Sequence, residues 1–180
     1  MIAVSLVAAT PIYASPRFAL VDEEFTTPDG VVRRPVIHHP GAVAILAQPA
    51  PDRVLMVRQY RYPIRRWTLE IPAGTRVPGE APETTAAREL VEEAGFRPGR
   101  LTELMRFFPA VGVSDEELIL YSADQLTPEP CAPEHGELVA PEVVRLGDVK
   151  ARVAAGEICD AKTLIALALI GVPLPRGAGR

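Results

Sequence analysis

Residues 74–96 have the sequence GTRVPGEAPETTAARELVEEAGF, and this stretch decides the fold. Its first part, up to Gly79, is punctuated by proline and glycine and predicts a loop. A helix is predicted from Pro82 to Ala94, because proline suits the first helical turn and Gly95 suits the left-handed residue that ends a helix. A loop that runs directly into a short helix is therefore the element from which the rest of the chain is interpreted.

Three glutamates of the predicted helix share one face. Glu89, Glu92 and Glu93 have i, i+3, i+4 spacing, which places their carboxylates side by side. A solvated acidic surface is the ordinary interpretation of such a run of charge. The alternative is a hard divalent cation such as Mg²⁺ or Mn²⁺, held by carboxylate oxygens. The helix by itself does not decide between these two interpretations.

The spacing of residues upstream of the helix decides between a solvated acidic surface and a cation site. The pattern Gly-x5-Glu-x7-Arg-Glu-Leu-x-Glu-Glu-x-Gly begins at Gly74, passes through Glu80 and Arg88, and ends at Gly95. In a chain of this composition it would occur by chance with a probability of roughly 5 × 10⁻⁶. The pattern resembles the signature of the Nudix hydrolases. The acidic face is accordingly predicted to bind metal.

Further motifs resemble the ADP-ribose pyrophosphatase branch of that family. They are Gln59-Tyr60-Arg61, the run WTLEIPAG at residues 67–74, Ser114-Asp115-Glu116 and Gly156-Glu157-Ile158. The resemblance implies an α/β fold, a Nudix-like α/β/α sandwich with a mixed β-sheet flanked by helices and an N-terminal strand-rich segment. It also implies hydrolysis of the pyrophosphate bond of ADP-ribose or a related nucleoside-diphosphate sugar.

The resemblance implies roles for individual residues of the loop and helix. Glu89 and Glu93 would be the main metal ligands, Glu92 would assist them, and the Ala73 carbonyl would be a further ligand. Mg²⁺ is the implied cofactor, with Mn²⁺ as an alternative. Arg88 would hold a carboxylate in place beside the metal.

Other residues are candidates for binding substrate. Arg61 is predicted to bind the pyrophosphate, because a guanidinium pairs phosphate in a bidentate way. Trp67 is a candidate for stacking on a base or sugar, although packing in the core is the more common role of a tryptophan in such a position. Glu116 is a candidate for contact with substrate or for a structural role. The nearby arginines are interpreted as surface charge: Arg58, Arg65 and Arg66.

A general base must come from outside the helix if the helical glutamates hold metal. In the ADP-ribose branch it comes from a mobile loop late in the chain, which here corresponds to residues 133–138, sequence PEHGEL. Glu137 is the first candidate and Glu134 the second. His135 is interpreted as an exposed loop residue.

The rest of the chain predicts strands and two more helices. Strands are expected at residues 2–9, 17–25, 31–38, 42–47, 53–60, 67–71, 101–108, 117–123 and 139–146, and helices near residues 148–155 and 160–170. Two hairpins are predicted, one around the Asp29-Gly30 turn and one joining strands 42–47 and 53–60. The predicted domains are an N-terminal β segment for dimerisation, residues 1–40, a catalytic domain, residues 41–172, and a tail, residues 173–180.

The composition of the chain excludes some classes of binding partner and indicates where the protein resides. The chain has 180 residues, 48% of them hydrophobic and 23% charged, with a net charge of −4, which argues against nucleic acid as a partner. Two cysteines are too few for a disulfide framework. No apolar run approaches the length that a bilayer requires. A cytoplasmic protein that contacts neither membrane nor nucleic acid is predicted. The resemblance to the ADP-ribose branch implies a nucleotide as the small-molecule substrate and, together with the apolar run at residues 2–9, a homodimer.

Two alternatives to the predicted function remain open. Val111 stands where the ADP-ribose branch usually has proline, so another nucleotide, such as a nucleoside triphosphate or a dinucleoside polyphosphate, is an alternative substrate. A non-catalytic nucleotide-binding regulator is the other alternative. The complete set of glutamates argues against the regulator, because a sensor does not need three carboxylates on one helical face.

Overall fold

The computed structural model describes residues 3–132 and 138–175. The strands of this part are β1 (Ser5–Ala14), β2 (Ala19–Thr27), β3 (Gly30–His38), β4 (Ala42–Ala47), β5 (Arg53–Arg61), β6 (Arg66–Glu70), β7 (Ala73–Thr75), β8 (Phe96–Arg97), β9 (Arg100–Phe107), β10 (Leu118–Asp124), β11 (Thr127–Pro128) and β12 (Val139–Arg145). Its helices are α1 (Pro82–Ala94), α2 (Leu146–Ala154) and α3 (Ala161–Leu169). Within these residues, no helix is long and apolar enough to cross a membrane.

Two sheets form the centre of the molecule. One has the strand order β7-β4-β10-β9 and is mixed, because β10 runs parallel to β4 while the other pairs are antiparallel. The other, β12-β5-β6, is antiparallel throughout. The predicted hairpin between strands 42–47 and 53–60 is therefore wrong. Both edges of β4 are already hydrogen-bonded, to β7 and to β10, so β5 pairs elsewhere.

The central strands have a hydrophobic core on each of their two faces. Along β4, Ala44 and Leu46 pack into one core, whereas Val43 and Ile45 pack into the other, as alternation along a strand requires. Helices α2 and α3 cover the first core through Val149, Ala166 and Leu167, and α1 covers the second through Ala86, Leu90 and Ala94. This arrangement confirms the predicted α/β/α sandwich.

The ends of α1 agree with the prediction. The helix starts at Pro82, and Gly95 ends it in the left-handed conformation, at φ +71°, with its N–H bonded to the carbonyls of Leu90 and Val91. Leu90 on the opposite side is fully buried against the second core. Burying that apolar stripe fixes the rotation of α1 about its axis, and the acidic face is consequently turned towards β7.

The first three strands form a sheet of their own, in the order β1-β2-β3. The predicted hairpin of β2 and β3 is confirmed, with Thr27 opposite Gly30 at its turn. This N-terminal sheet is attached to the loop before β10: Ile37 N–H donates to the Val113 carbonyl at 2.8 Å, and the His38 ring lies 2.6 Å from Asp115 Oδ2. The hydrogen bond to Asp115 raises the pKa of His38, against the opposing effect of burial.

Candidate functional site

Gly74 allows α1 to approach the loop closely. A Cβ placed on Gly74 would lie 1.9 Å from Cδ of Glu89, a separation that no side chain could tolerate. Gly74 belongs to β7, opposite Val43 of β4, so its backbone cannot move aside without breaking that pair. Glycine is thus required here for the Glu89 carboxylate to lie against the loop.

Glu93 contacts the same loop. Its side chain is buried, with 5% of the residue exposed, and its Oε2 accepts a hydrogen bond of 3.0 Å from the Ala73 N–H. The carbonyl of Ala73 belongs to the same short strand. A carboxylate and a backbone carbonyl are both hard oxygen donors, the type that Mg²⁺ prefers.

Arg88 organises the remaining carboxylates of the helix. Its guanidinium donates to Glu92 Oε2 at 2.6 Å and lies 2.8 Å from Glu89 Oε1. Glu80 is farther away, at 3.7 Å, and accepts a hydrogen bond of 2.8 Å from the Thr85 hydroxyl. Burial would lower the pKa of Arg88, but the charge of Glu89 and the hydrogen bond to Glu92 raise it. Arg88 therefore holds Glu89 and Glu92 at fixed positions.

These groups surround a cavity of about 560 Å³, here called the carboxylate cavity. Arg61 lies in its wall, as predicted for a residue that binds phosphate. Gln59 lines it too, and in the described part of the chain its buried side-chain nitrogen has no hydrogen-bond partner. A buried donor without a partner is costly, so a ligand or water in the cavity would satisfy it. The other principal lining groups are Arg17, Ala73, Glu89, Glu92 and Glu93.

The donor set of the cavity suits a divalent cation. Every candidate ligand is an oxygen: the carboxylates of Glu89, Glu92 and Glu93 and the carbonyl of Ala73 line the cavity. Among residues 3–132 and 138–175, no three acidic, histidine or cysteine side chains already converge on a common point. Contacts within the protein explain this spread: Arg88 holds Glu89 and Glu92, and the Ala73 N–H holds Glu93. Binding a cation would require modest rotation of these carboxylates.

Arg61 is held from behind by a second charged cluster. Its Nε and Nη2 donate to the two oxygens of Glu70, at 2.8 and 2.6 Å. Burial would raise the pKa of Glu70, but the hydrogen bonds from Arg61 and the charge of Lys162 lower it to about 2. Glu70 is therefore an anion throughout the neutral range and keeps Arg61 at the wall of the cavity.

The other predicted substrate contacts lie apart from the carboxylates. Trp67 is half exposed on β6, so it is not a core residue, and its ring packs edge-on against Tyr60 at 5.8 Å. In the described part of the chain Trp67 does not line the carboxylate cavity. Glu116 lines a neighbouring cavity of about 400 Å³, which also reaches Ala73, and its carboxylate is 3.9 Å from the His39 ring.

The three arginines interpreted as surface charge lie outside the carboxylate cavity. Arg58 pairs with Glu142 and Glu157, at 3.0 and 2.9 Å, on another part of the surface. Arg66 is exposed and donates to the Cys159 sulfur at 3.1 Å. Arg65 follows a short turn in the left-handed conformation, at φ +53°. Of the four arginines between residues 58 and 66, the structure thus brings Arg61 to the carboxylates.

The candidate bases, Glu137 and Glu134, lie outside the described residues, as does His135. The residues that flank them are described. The Ala132 N–H donates to the Glu92 carbonyl at 3.1 Å, and the Leu138 carbonyl accepts a hydrogen bond of 3.1 Å from the Tyr60 N–H. Both flanks are therefore attached to elements that border the carboxylate cavity.

Sequence reasoning missed three cationic residues at the site. Arg76, which directly follows β7, lines the carboxylate cavity. Arg17, in the turn between β1 and β2, lines both cavities, although the N-terminal segment was expected to serve dimerisation. Lys162, in the first turn of α3, contacts Glu70. None of the three belongs to a spacing pattern that points to phosphate, and the burial of Lys162 is a property of the fold that the sequence does not reveal.

Comparison with known proteins agrees with the geometry. A NUDIX domain matches residues 37–164 of the chain. The chain is 36% identical over 164 residues to the ADP-ribose pyrophosphatase of Bacillus subtilis, covering 89% of each sequence. It is also 36% identical over 137 residues to the methanol dehydrogenase activator of Bacillus methanolicus, covering 75% of this chain and 74% of that protein.

The fold has a counterpart among solved structures. A crystal structure described as an ADP compounds hydrolase superposes with a TM-score of 0.77 at 23% identity, covering 93% of this chain and 91% of that one. At this identity the likeness concerns the fold.

Proposed function

Because the chain belongs to the NUDIX family of hydrolases, we propose that it cleaves the pyrophosphate bond of ADP-ribose or a related nucleoside-diphosphate sugar. The products are a nucleoside monophosphate and a sugar phosphate. One observation carries the proposal: the carboxylates of α1 and the guanidinium of Arg61 line the same cavity. Relatives named ADP-ribose pyrophosphatase in Bacillus subtilis and, at 38% identity over 122 residues, in Mycobacterium tuberculosis support the choice of substrate.

The residues of the carboxylate cavity have complementary roles in this reaction. Glu89, Glu93 and the Ala73 carbonyl would hold Mg²⁺, with Glu92 assisting, and Mn²⁺ has the same preference for oxygen ligands. When bound, the cation would neutralise phosphate charge and activate water for attack on phosphorus. Arg88 holds the carboxylates of Glu89 and Glu92 at the wall of the cavity.

The substrate is bound by groups around the metal ligands. Arg61 pairs with the pyrophosphate, whose negative charge increases as the bond to the leaving oxygen breaks. Glu116 and Trp67 contact the remainder of the substrate, Glu116 through the neighbouring cavity and Trp67 through its exposed ring. These two assignments rest on the resemblance and on the exposure of the side chains.

Glu137 acts as the general base, and Glu134 is the second candidate. The attachment of the flanking residues Ala132 and Leu138 beside α1 and β5 supports a base in this segment. We expect Glu137→Gln to lower kcat by more than about tenfold while changing KM little, because the base acts in the transition state. If only Glu134→Gln shows a large loss of kcat, Glu134 is the base instead of Glu137. If kcat falls less than tenfold in both variants, the base lies elsewhere.

A substrate screen with product analysis tests the proposed function. Purified protein is incubated with ADP-ribose, other nucleoside-diphosphate sugars, nucleoside triphosphates and dinucleoside polyphosphates, each with Mg²⁺ or Mn²⁺. ADP-ribose should give AMP and ribose 5-phosphate. Pyrophosphate released from a triphosphate would assign a different nucleotide substrate, and binding without turnover would indicate a regulator. Glu93→Gln serves as the inactive control for contaminating hydrolases.

The protein forms a homodimer through its N-terminal segment, residues 1–40. All ten residues of β1 are exposed, and β1 is an edge strand with apolar side chains that include Leu6, Val7 and Ile12. Such an edge is a surface on which a second chain can pair and bury apolar area. Sedimentation at micromolar concentration should show a dimer, and Ile12→Glu should shift it to monomer. A wild-type monomer would contradict the proposal.

The remaining predictions from the sequence concern boundaries and location. The division into residues 1–40, 41–172 and 173–180 is supported by the separate sheet β1-β2-β3 and by the NUDIX match that starts at residue 37. The cytoplasmic location and the absence of nucleic-acid and membrane partners stay predictions. Localisation of a tagged chain by cell fractionation would test them.

A further inference from the structure

Glu70 is the centre of a buried charged cluster at the end of β6. The residue is 1% exposed, and both of its carboxylate oxygens are hydrogen-bonded. Oε1 accepts from the Thr68 hydroxyl at 2.7 Å and from Arg61 Nε at 2.8 Å. Oε2 accepts from Arg61 Nη2 at 2.6 Å and from the Lys162 ammonium.

Lys162 is itself buried and fixed. Its side chain is 10% exposed, and its Nζ donates to Asp160 Oδ2 at 2.9 Å in addition to Glu70. The same Asp160 oxygen accepts from the Thr163 N–H at 3.1 Å and so caps α3. The position of the ammonium is therefore set by the start of α3, which packs on the core opposite α1.

Stability alone does not account for a lysine at this place. Burying an ion pair costs desolvation energy that its attraction often only just recovers, and apolar replacements are frequently no less stable. The cluster immobilises one guanidinium: two nitrogens of Arg61 donate to Glu70, while the Arg61 side chain is still 41% exposed and lines the carboxylate cavity.

Lys162 also changes the charge that Arg61 presents. A carboxylate paired with a single arginine would cancel the positive charge of that arginine and weaken its attraction for phosphate. With Lys162 present, the two cations Arg61 and Lys162 balance the two carboxylates Glu70 and Asp160. Without the ammonium, the cluster behind Arg61 would have a net negative charge, which would weaken the attraction of the guanidinium for phosphate.

We propose that Lys162 is a positioning residue for phosphate binding: through Glu70 it fixes the orientation of Arg61 and preserves its charge towards the carboxylate cavity. The inference rests on the proposed function, because it needs Arg61 to bind the pyrophosphate of the substrate. It adds a residue of α3 to a site that is otherwise built from α1, β5 and the loop at β7.

The test measures binding of a pyrophosphate that cannot be hydrolysed. The probe is α,β-methylene-ADP with Mg²⁺, titrated calorimetrically into wild type and variants, beside kcat and KM for ADP-ribose. Lys162→Met should weaken probe binding by about tenfold and raise KM for ADP-ribose similarly, while kcat changes less than about threefold. Lys162→Arg should restore most of the affinity, because it keeps the charge.

Two further variants separate positioning from loss of stability. Arg58→Met breaks a comparable ion-pair network on the same strand, β5, but outside the cavity, and should lower the melting temperature without changing probe affinity. Thr68→Val removes the hydroxyl that holds Glu70 Oε1 and conserves volume. Thr68→Val should weaken probe binding by about two- to threefold. If Lys162→Met does not fold, the probe affinity of Thr68→Val decides whether the cluster positions Arg61.

A double-mutant cycle with Arg61→Ala gives the decisive outcome. If Lys162 acts through Arg61, Lys162→Met should change the affinity of the Arg61→Ala variant by less than about twofold. A further tenfold loss in that background would show that Lys162 acts on the ligand independently and would overturn the proposal. Wild-type affinity in Lys162→Met would overturn it as well.

The two proposals fail in distinguishable ways. If wild type does not hydrolyse ADP-ribose, the proposed substrate is wrong, but the affinities for α,β-methylene-ADP still decide the role of Lys162. If wild type hydrolyses ADP-ribose and Lys162→Met binds the probe normally, the positioning role is wrong and the proposed function stands.

Discussion

Two charged clusters lie beside the same cavity and differ in what their carboxylates face. On α1, Glu89 and Glu92 contact Arg88, and Glu93 accepts a hydrogen bond from the Ala73 N–H. In the other cluster, Arg61 and Lys162 contact Glu70, and Lys162 also contacts Asp160. The carboxylates of the first cluster line the cavity, where a ligand can reach them, whereas Glu70 is buried among protein groups and the two cations of its cluster balance its two carboxylates. We infer that the first cluster serves a ligand and that the second serves the position of Arg61.

Removing divalent metal should have the largest effect. EDTA is expected to abolish turnover, because the acidic cluster then lacks the cation that the reaction needs. The fold should remain, since both cores are apolar and need no metal. Turnover measured beside the melting temperature checks both halves of this expectation. Full activity in chelator would remove the functional distinction between the two clusters.

Glu93→Gln should have the next largest effect. The amide keeps the volume and an oxygen that can accept from the Ala73 N–H, but it removes a ligand charge, so kcat should fall by about 10²–10⁴. Stability should hold or rise slightly because repulsion on α1 is relieved. The matched control is Glu83→Gln, which removes a carboxylate from the first turn of the same helix and should leave kcat nearly unchanged. An unchanged kcat in Glu93→Gln would mean that the acidic face is only solvated surface.

Glu70→Gln should act chiefly on stability, in contrast to Glu93→Gln, which should act chiefly on kcat. It leaves Arg61 and Lys162 close together without their shared anion, and the free energy of unfolding should fall by about 3 kcal/mol. Denaturant titration of Glu70→Gln and Glu93→Gln side by side measures the difference. Equal stability of the two variants would show that the Glu70 cluster is not balanced in the way proposed.

Acid should reduce the contribution of Glu70 gradually. Its pKa is lowered from 4.5 to about 2, so folding is stabilised by its ionised form above pH 4.5, and this stabilisation is lost as the pH falls towards 2. The difference in unfolding free energy between wild type and Glu70→Gln should therefore shrink over that range. Denaturant titrations at several pH values test this, and a difference that is constant down to pH 2 would contradict it.

The local sequence pattern was sufficient to predict an element wherever the preferences of its own residues set its backbone geometry. Helix α1, with Pro82 at the start and Gly95 at the end, follows from spacing and from the conformations that these residues prefer. Most strands were also predictable, because apolar runs and turn residues mark them, and the α/β/α fold class followed from the resemblance to the Nudix hydrolases. The predicted loop before α1 was wrong at its start, because residues 73–75 pair with β4 as strand β7. The pairing of strands was not predictable from the sequence: strands 42–47 and 53–60 are neighbours in sequence, but each is paired in a different sheet.

The sequence by itself determined that three carboxylates share one face of a helix, because the helical period fixes that face wherever the helix lies. Only the tertiary structure decided what that face meets. Packing of Leu90 on the core turns the glutamates towards Gly74, while β6 and α3 bring Glu70 and Lys162 together behind Arg61 from positions 92 residues apart. Contacts between distant segments depend on how sheets and helices stack, and no local period in the sequence encodes that arrangement.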